Sequence, residues 1–228
     1  MTAWGAIVLA AGRGIRFGGP KQLVDIAGAP MLSWSLRVFE AMSEISDIIV
    51  VTEAQWLEDV AAAAQNCAVI SGGSTRQASG YAGLRALPQR CEGVLIHDGA
   101  RPLVMAADVR RAMSAVAPGH ASLLGEPVID TIKAVDPSGV VRETFNRREL
   151  WAAQTPQLAR VTDMRAAHEA ARRDGVDATD DAMLLERIGV IVHMVQTSGE
   201  NFKVTQPADA VRAQAILQER LMSRSQAR

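Results

Sequence analysis

The chain has 228 residues, 48% of them hydrophobic, and a formal charge of −1 from 24 Lys and Arg against 25 Asp and Glu. That length suits one α/β domain with an appendage, and the balanced charge excludes a general nucleic-acid or anionic-membrane surface. Two cysteines, Cys67 and Cys91, lack C-x-x-C spacing and a histidine cluster, which excludes a disulfide framework and a structural zinc site and points to a reducing, cytoplasmic setting.

The N-terminus has no basic region before its short apolar run, and Arg13 and Arg16 follow soon after, so neither a signal peptide nor a transmembrane helix is expected. Residues 4–10 form a continuous apolar run that ends in a glycine-rich turn, as a buried parallel strand does. Pro30 opens a helix whose Leu32, Leu36, Val38 and Phe39 fall near helical spacing. A strand over 47–51, a helix over 55–64 and a strand over 68–70 follow, then Gly72-Gly73 and a helix through Leu87. The fourth strand, 93–96, ends at His97-Asp98-Gly99-Ala100-Arg101-Pro102.

This alternation predicts an α/β fold with a doubly wound, mostly parallel, Rossmann-like sheet. The rhythm breaks after the apolar run 121–124. Residues 128–150 alternate Ile, Thr and Val around a Pro137-Ser138-Gly139 turn and predict a protruding β-arm. Helices are expected over 161–173 and 179–188, a last strand over 190–195, and a terminal helix after Pro207. Residues 1–228 are thus expected to form a single domain carrying that arm.

Ligands of such sheets bind at the carboxyl ends of strands, which singles out the loops 10–22 and 97–102. The first contains Gly12, Gly14, Arg16, Gly18-Gly19 and Pro20-Lys21-Gln22. A dinucleotide fingerprint needs a third glycine where Phe17 stands, and a P-loop needs Gly-Lys-Ser/Thr. Neither is present, which disfavours a nicotinamide oxidoreductase. What remains is a loop of small residues whose backbone N–H groups can approach a phosphate chain, with Arg16 and Lys21 to supply charge.

Ala-Ala-Gly-x-Gly-x-Arg followed by Pro-Lys-Gln resembles the signature of the sugar-phosphate nucleotidyltransferases. Gly72-Gly73-x-x-Arg76-x-x-Ser79, His97-Asp98-Gly99-Ala100-Arg101-Pro102, Asp130-Thr131-x-Lys133, Arg147-x-x-Leu150-Trp151, Gln154-Thr155-Pro156-Gln157, Thr179-Asp180-Asp181 and Asn201-Phe202-Lys203-Val204-Thr205 follow in family order. Together they resemble the 2-C-methyl-D-erythritol 4-phosphate cytidylyltransferases over residues 7–207. The resemblance implies that an acceptor phosphate attacks the α-phosphorus of CTP and pyrophosphate leaves. Two anions about 4 Å apart repel by roughly 4 kcal/mol at an intermediate dielectric, so the chemistry requires positioned cations and little covalent participation.

By this resemblance Arg16, Lys21 and Lys203 are catalytic. Ala10, Ala11, Gly12, Gly14, Gly73, Ser79 and Asp98 bind the nucleotide. Thr131, Arg147 and Lys203 bind the acceptor, the first two across a homodimer joined by the arms. Mg²⁺ is expected on the triphosphate, with Asp98 nearby and no residue assigned as a certain metal ligand. Taken alone, Lys203 reads as an ordinary exposed lysine, and Asp98 reads equally well as a helix cap or as the partner of Arg101. Arg76 reads as loop support or a surface salt bridge, and His97 and Thr155-Pro156-Gln157 as structural. Leu9 and Gly99 depart from the family pattern, and the fused cyclodiphosphate synthase domain of some relatives is not expected. The alternative acceptor is ribitol 5-phosphate. A catalytically silent nucleotide-binding module is disfavoured because Arg16, Lys21, Asp98 and Lys203 are all retained.

Overall fold

The computed structural model describes residues 3–12 and 20–226. Its first strand, β1 (Trp4–Leu9), is buried along its whole length. Side chains alternate between the two faces of a strand. Accordingly Ile7 and Leu9 enter one core with Leu84, Ile96, Met164 and Leu184, while Ala6, Val8 and Ala10 enter the opposite one with Leu32, Leu36, Phe39 and Leu158. A strand buried on both faces is a central strand of a doubly wound sheet.

The seven-stranded sheet has the order β11-β7-β10-β6-β1-β4-β5. The flanking strands are β4 (Ile45–Thr52), β5 (Ala68–Ser71), β6 (Gly93–Asp98), β7 (His120–Pro127), β10 (Trp151–Arg160) and β11 (Ile191–Gln196). β4 and β6 both pair in parallel with β1, and β10 runs antiparallel to β6 and to β7. The fold is therefore α/β and Rossmann-like, with a mostly parallel sheet. From β1 the chain winds outward to β4 and β5, then returns to β6 on the other side of β1. That reversal opens a crevice between the carboxyl ends of β1 and β6, where Leu9 lies opposite Asp98.

Helices α1 (Met31–Glu40), α2 (Leu57–Ala63) and α4 (Ala106–Ser114) cover one face; α3 (Arg76–Ala86), α5 (Val161–Asp174) and α6 (Asp181–Arg187) cover the other. A small hairpin, β2 (Asp25–Ile26) with β3 (Ala29–Pro30), and the terminal helix α7 (Pro207–Gln226) form a third core. There Ile26, Met31 and Trp34 pack against Leu103, Val204 and Leu217. Burying each such side chain contributes about 1.5–3 kcal/mol, enough to fix residues 201–205 against the crevice.

Most expected elements are present with boundaries shifted by one or two residues. Three are additional. The β2–β3 hairpin turns on Ala27 and Gly28, both at positive φ. α4 follows the 97–102 loop, and β10 carries Pro156 within it. That proline has no N–H to donate, and the pairing of β10 with β7 is irregular between Ala153 and Gln157. The arm narrows to β8 (Lys133–Val135) paired with β9 (Val141–Thr144), apart from the main sheet.

Candidate active site

The crevice is built around Asp98, the last residue of β6. Its Oδ2 accepts from Lys203 Nζ at 2.6 Å and its Oδ1 from Arg76 Nε at 3.3 Å. Burial by itself would raise this carboxyl, but Arg76, Lys203 and Arg101 hold it well below the usual carboxylate range. Asp98 is ionised at any working pH. Its partners are Arg76 and Lys203; Arg101 instead donates through Nη1 to Asn201 O at 2.8 Å. Arg76 is correspondingly part of the interior network, where a surface salt bridge was one expectation. It bridges Asp98 to the buried Asp181, with Nη1 2.8 Å from Oδ2.

Two adjoining cavities share Arg76, Asp98 and Lys203. The first, about 280 Å³, is also lined by Leu9, Ala11, Gly12, Lys21, Gln22, Ser79 and Ala100. Three cations face one carboxylate there, so the space favours an anion. Lys21 opens a single 3₁₀ turn, Lys21–Leu23, and its Nζ donates to Val204 O at 3.0 Å. This contact draws the first loop onto the segment that carries Lys203. Gln22 is buried, and its Nε2 reaches Gly12 O at 3.4 Å, which ties the two ends of the loop together. Arg16 and Gly14 lie outside the described residues.

At the other wall, the hydroxyl of Ser79 accepts from Gly73 N at 3.2 Å and donates to Thr75 O at 2.9 Å. A Cβ on Gly73 would stand 2.5 Å from Cβ of Ala78, so only glycine lets this loop fold down onto the start of α3. The Thr75 side chain caps α3 by accepting from Ala78 N. Gly73 is thereby held beside Ser79; Ala11 lines the cavity just past β1, whereas Gly73 and the buried Ala10 are not among its lining residues.

The second cavity, about 260 Å³, adds Arg101, Ala153, Gln154, Thr155, Gln157, Thr179 and Asp180 to the shared three. Sequence reasoning assigned no site role to Arg101, Thr179 or Thr155. The signal was their place in the matched motifs: Arg101 in the loop after β6, Thr155 in β10 and Thr179 just before α6. The Thr155 hydroxyl accepts from Asp98 N at 3.0 Å and donates a hydrogen bond to His97 Nδ1 at 3.1 Å. His97 Nε2 donates to Arg101 O at 3.1 Å. Gln157 accepts at Oε1 from the backbone N–H groups of Asp181 and Ala182, so it holds the start of α6 as well as lining the cavity.

Thr131 and Arg147 are exposed on the arm and line neither cavity. Arg147 Nη1 donates to Ile129 O. Ile129, Val135, Val140 and Val141 are all more than half exposed, an apolar surface on a two-stranded hairpin. Lys133 donates to Thr144 across the hairpin and Trp151 stands at the arm's base; neither lines either cavity.

A sequence profile described as 2-C-methyl-D-erythritol 4-phosphate cytidylyltransferase matches residues 5–219. A protein of that name from Prochlorococcus marinus (strain MIT 9313) is 42% identical over 217 residues, covering 92% of this chain and 96% of the relative. One from Thermosynechococcus vestitus is 43% identical, covering 94% and 95%. Among solved structures, 4-diphosphocytidyl-2C-methyl-D-erythritol synthase from Anaerococcus prevotii superposes with a TM-score of 0.84 at 28% identity, covering 95% and 96%. The 2-C-methyl-D-erythritol 4-phosphate cytidylyltransferase of Thermus thermophilus gives 0.79 at 30% identity, covering 93% and 98%.

Proposed function

Since the chain belongs to the 2-C-methyl-D-erythritol 4-phosphate cytidylyltransferase family, it transfers a cytidylyl group from CTP to that phosphate, and we propose that the two cavities flanking Asp98 divide the substrates between them. The first takes CTP, with Ala10, Ala11, Gly73 and Ser79 reading the base through backbone groups and a hydroxyl. Gly12 and Gly14 admit the triphosphate. Lys21 and Arg16 stabilise charge at the α-phosphoryl group. The second takes the acceptor phosphate, with Arg101 and Thr179 at its wall. Lys203, common to both cavities, serves both substrates. The observation that carries this reading is that shared wall, because attacking and leaving groups must meet at one phosphorus.

The reaction needs no general base on an already ionised phosphate, and burial holds His97 neutral. Its chemistry reduces to placing cations around crowded oxygens in a confined space. Mg²⁺ would add to that neutralisation. Among the described residues no three of His, Cys, Asp or Glu converge on one point. Asp98 offers a hard oxygen donor at the cavity wall, which fits a cation carried chiefly by the nucleotide. To lend Oδ2 to such an ion, Asp98 has to exchange it with Lys203.

The arm supplies Thr131 and Arg147 to a second copy of the chain, forming a homodimer. Its exposed Ile and Val side chains would be covered by that partner. Among the described residues no helix is long and apolar enough to cross a membrane, and both thiols are free, in keeping with a cytoplasmic enzyme. Pyrophosphate release from CTP and Mg²⁺ against a panel of sugar-alcohol phosphates tests the assignment. Methylerythritol phosphate is expected to be used best. The relatives disfavour ribitol phosphate, and faster turnover with it would overturn the acceptor. Arg147→Ala is expected to raise the KM for the acceptor roughly 10-fold, the cost of about one charge-assisted hydrogen bond. A rise confined to the KM for CTP would remove the arm from the acceptor site.

A further inference from the structure

Behind the crevice a chain of alternating charge, Lys203, Asp98, Arg76 and Asp181, runs from solvent into the core and ends in a hydrogen bond to His168. Side-chain exposure along it is 39%, 11%, 27%, 1% and 0%. The inner end is a hydrogen bond of 3.0 Å between His168 Nε2 and Asp181 Oδ1. Burial opposes ionisation of Asp181, but Arg76 and His168 overcome it and hold the carboxyl below its ordinary value. We propose that Arg76, Asp181 and His168 are positioning residues that fix the Asp98 carboxylate between the two cavities.

Three observations carry this. Arg76 uses two different nitrogens, Nε toward Asp98 and Nη1 toward Asp181, so its planar fork bridges two carboxylates as a point charge cannot. Asp181 is itself immobilised, because Gln157 holds its backbone N–H and Asp180 caps the helix it begins. Finally, α3 carries Gly80 one turn beyond Arg76, on the same face. A Cβ there would stand 3.3 Å from His168 Cε1 and 3.4 Å from Asp181 Oδ1, so the glycine leaves room for the pair. A buried ion pair is seldom the cheapest way to fill a core. This one ends at a carboxylate in the crevice. Asp98 Oδ1 is thereby clamped from behind, while Oδ2 faces the more exposed Lys203, which is free to exchange it for substrate.

The inference rests on the reading of Asp98 given above, and a double-mutant cycle separates the two. The kcat/KM values for CTP and for the acceptor are measured in the intact enzyme and in D98N, D181N and D98N/D181N. D98N is expected to slow turnover, and D181N to slow it between about 10- and 100-fold, as misplacement of a catalytic group does. In the D98N background, D181N should change the rate by less than about twofold. Equal losses in both backgrounds would make Asp181 a merely structural residue and overturn the relay. An unchanged rate in D98N would instead remove Asp98, and the relay with it. R76A provides a second readout independent of whether D181N folds. Its activity should recover with added methylguanidinium and not with methylammonium; recovery with both, or with neither, in the folded variant refutes the bridge.

Discussion

Replacing Lys21 with alanine is expected to lower kcat by on the order of 10²–10³, the loss seen when one preorganised transition-state donor is deleted. Lys21 Nζ lies on the carbonyl of Val204, the residue that follows Lys203, so two cations from opposite ends of the chain converge on one cavity. Negative charge builds on the α-phosphoryl oxygens as the acceptor phosphate approaches. A cation placed there gains more in the transition state than in the ground state. The effect should therefore fall on kcat, with a smaller change in the KM for CTP. Lys21→Arg keeps the charge but substitutes a planar fork for a compact ammonium and should restore part of the rate. Thermal denaturation of both variants controls for the lost contact to Val204, a hydrogen bond contributing about 1 kcal/mol. A kcat unchanged in the alanine variant would exclude Lys21 from the mechanism.

How legible these features were depended on whether the determinant is local. β1, β4 and β6 are apolar runs bounded by turns, and each is present close to its expected limits. β10 is not readable that way. Gln154, Thr155 and Gln157 are polar because they serve the cavity and the cap of α6, and Pro156 argues against a strand. Function has overwritten the periodicity there. The residues around Asp98 show the same limit. Its position at a strand end follows from the sequence, but its partners do not. Arg76 is 22 residues away and Lys203 is 105 away, while Arg101, three residues on, turns to Asn201. Arg76 could look like a surface cation because nothing local reveals that α6 delivers Asp181 to it. The matched motifs named the neighbourhood; only the topology, with β1 and β6 side by side at the reversal, brings those motifs together.

Lowering the pH should destabilise the enzyme well before its carboxylates titrate, through His97. This side chain is fully buried at the end of β6, and burial pulls its pKa from an ordinary 6.5 down to about 4. In the unfolded chain the imidazole takes up a proton below about pH 6.5, whereas the folded chain refuses it until about pH 4. Stability is thus unaffected by His97 above pH 7 and falls between those values, because the unfolded state binds more protons. Between pH 7 and pH 5 the loss is roughly 2 kcal/mol, or a fall of about 4–8 °C in Tm for a chain of this size. The depressed carboxyls of Asp98 and Asp181 act in the same direction but lower down, where unfolded carboxylates begin to protonate. His97→Gln can accept from Thr155 and donate to the Arg101 carbonyl without titrating. The variant's own Tm is secondary; its dependence on pH across this window should flatten by that amount. An equal slope in both proteins would show that His97 is not the group responsible. Because the Thr155 hydroxyl that His97 accepts from also receives the backbone N–H of Asp98, protonation of His97 in the folded chain, near pH 4, would disturb the carboxylate shared by both cavities. Activity of the folded enzyme should therefore hold across the window in which its stability declines, and fall through His97 only near pH 4.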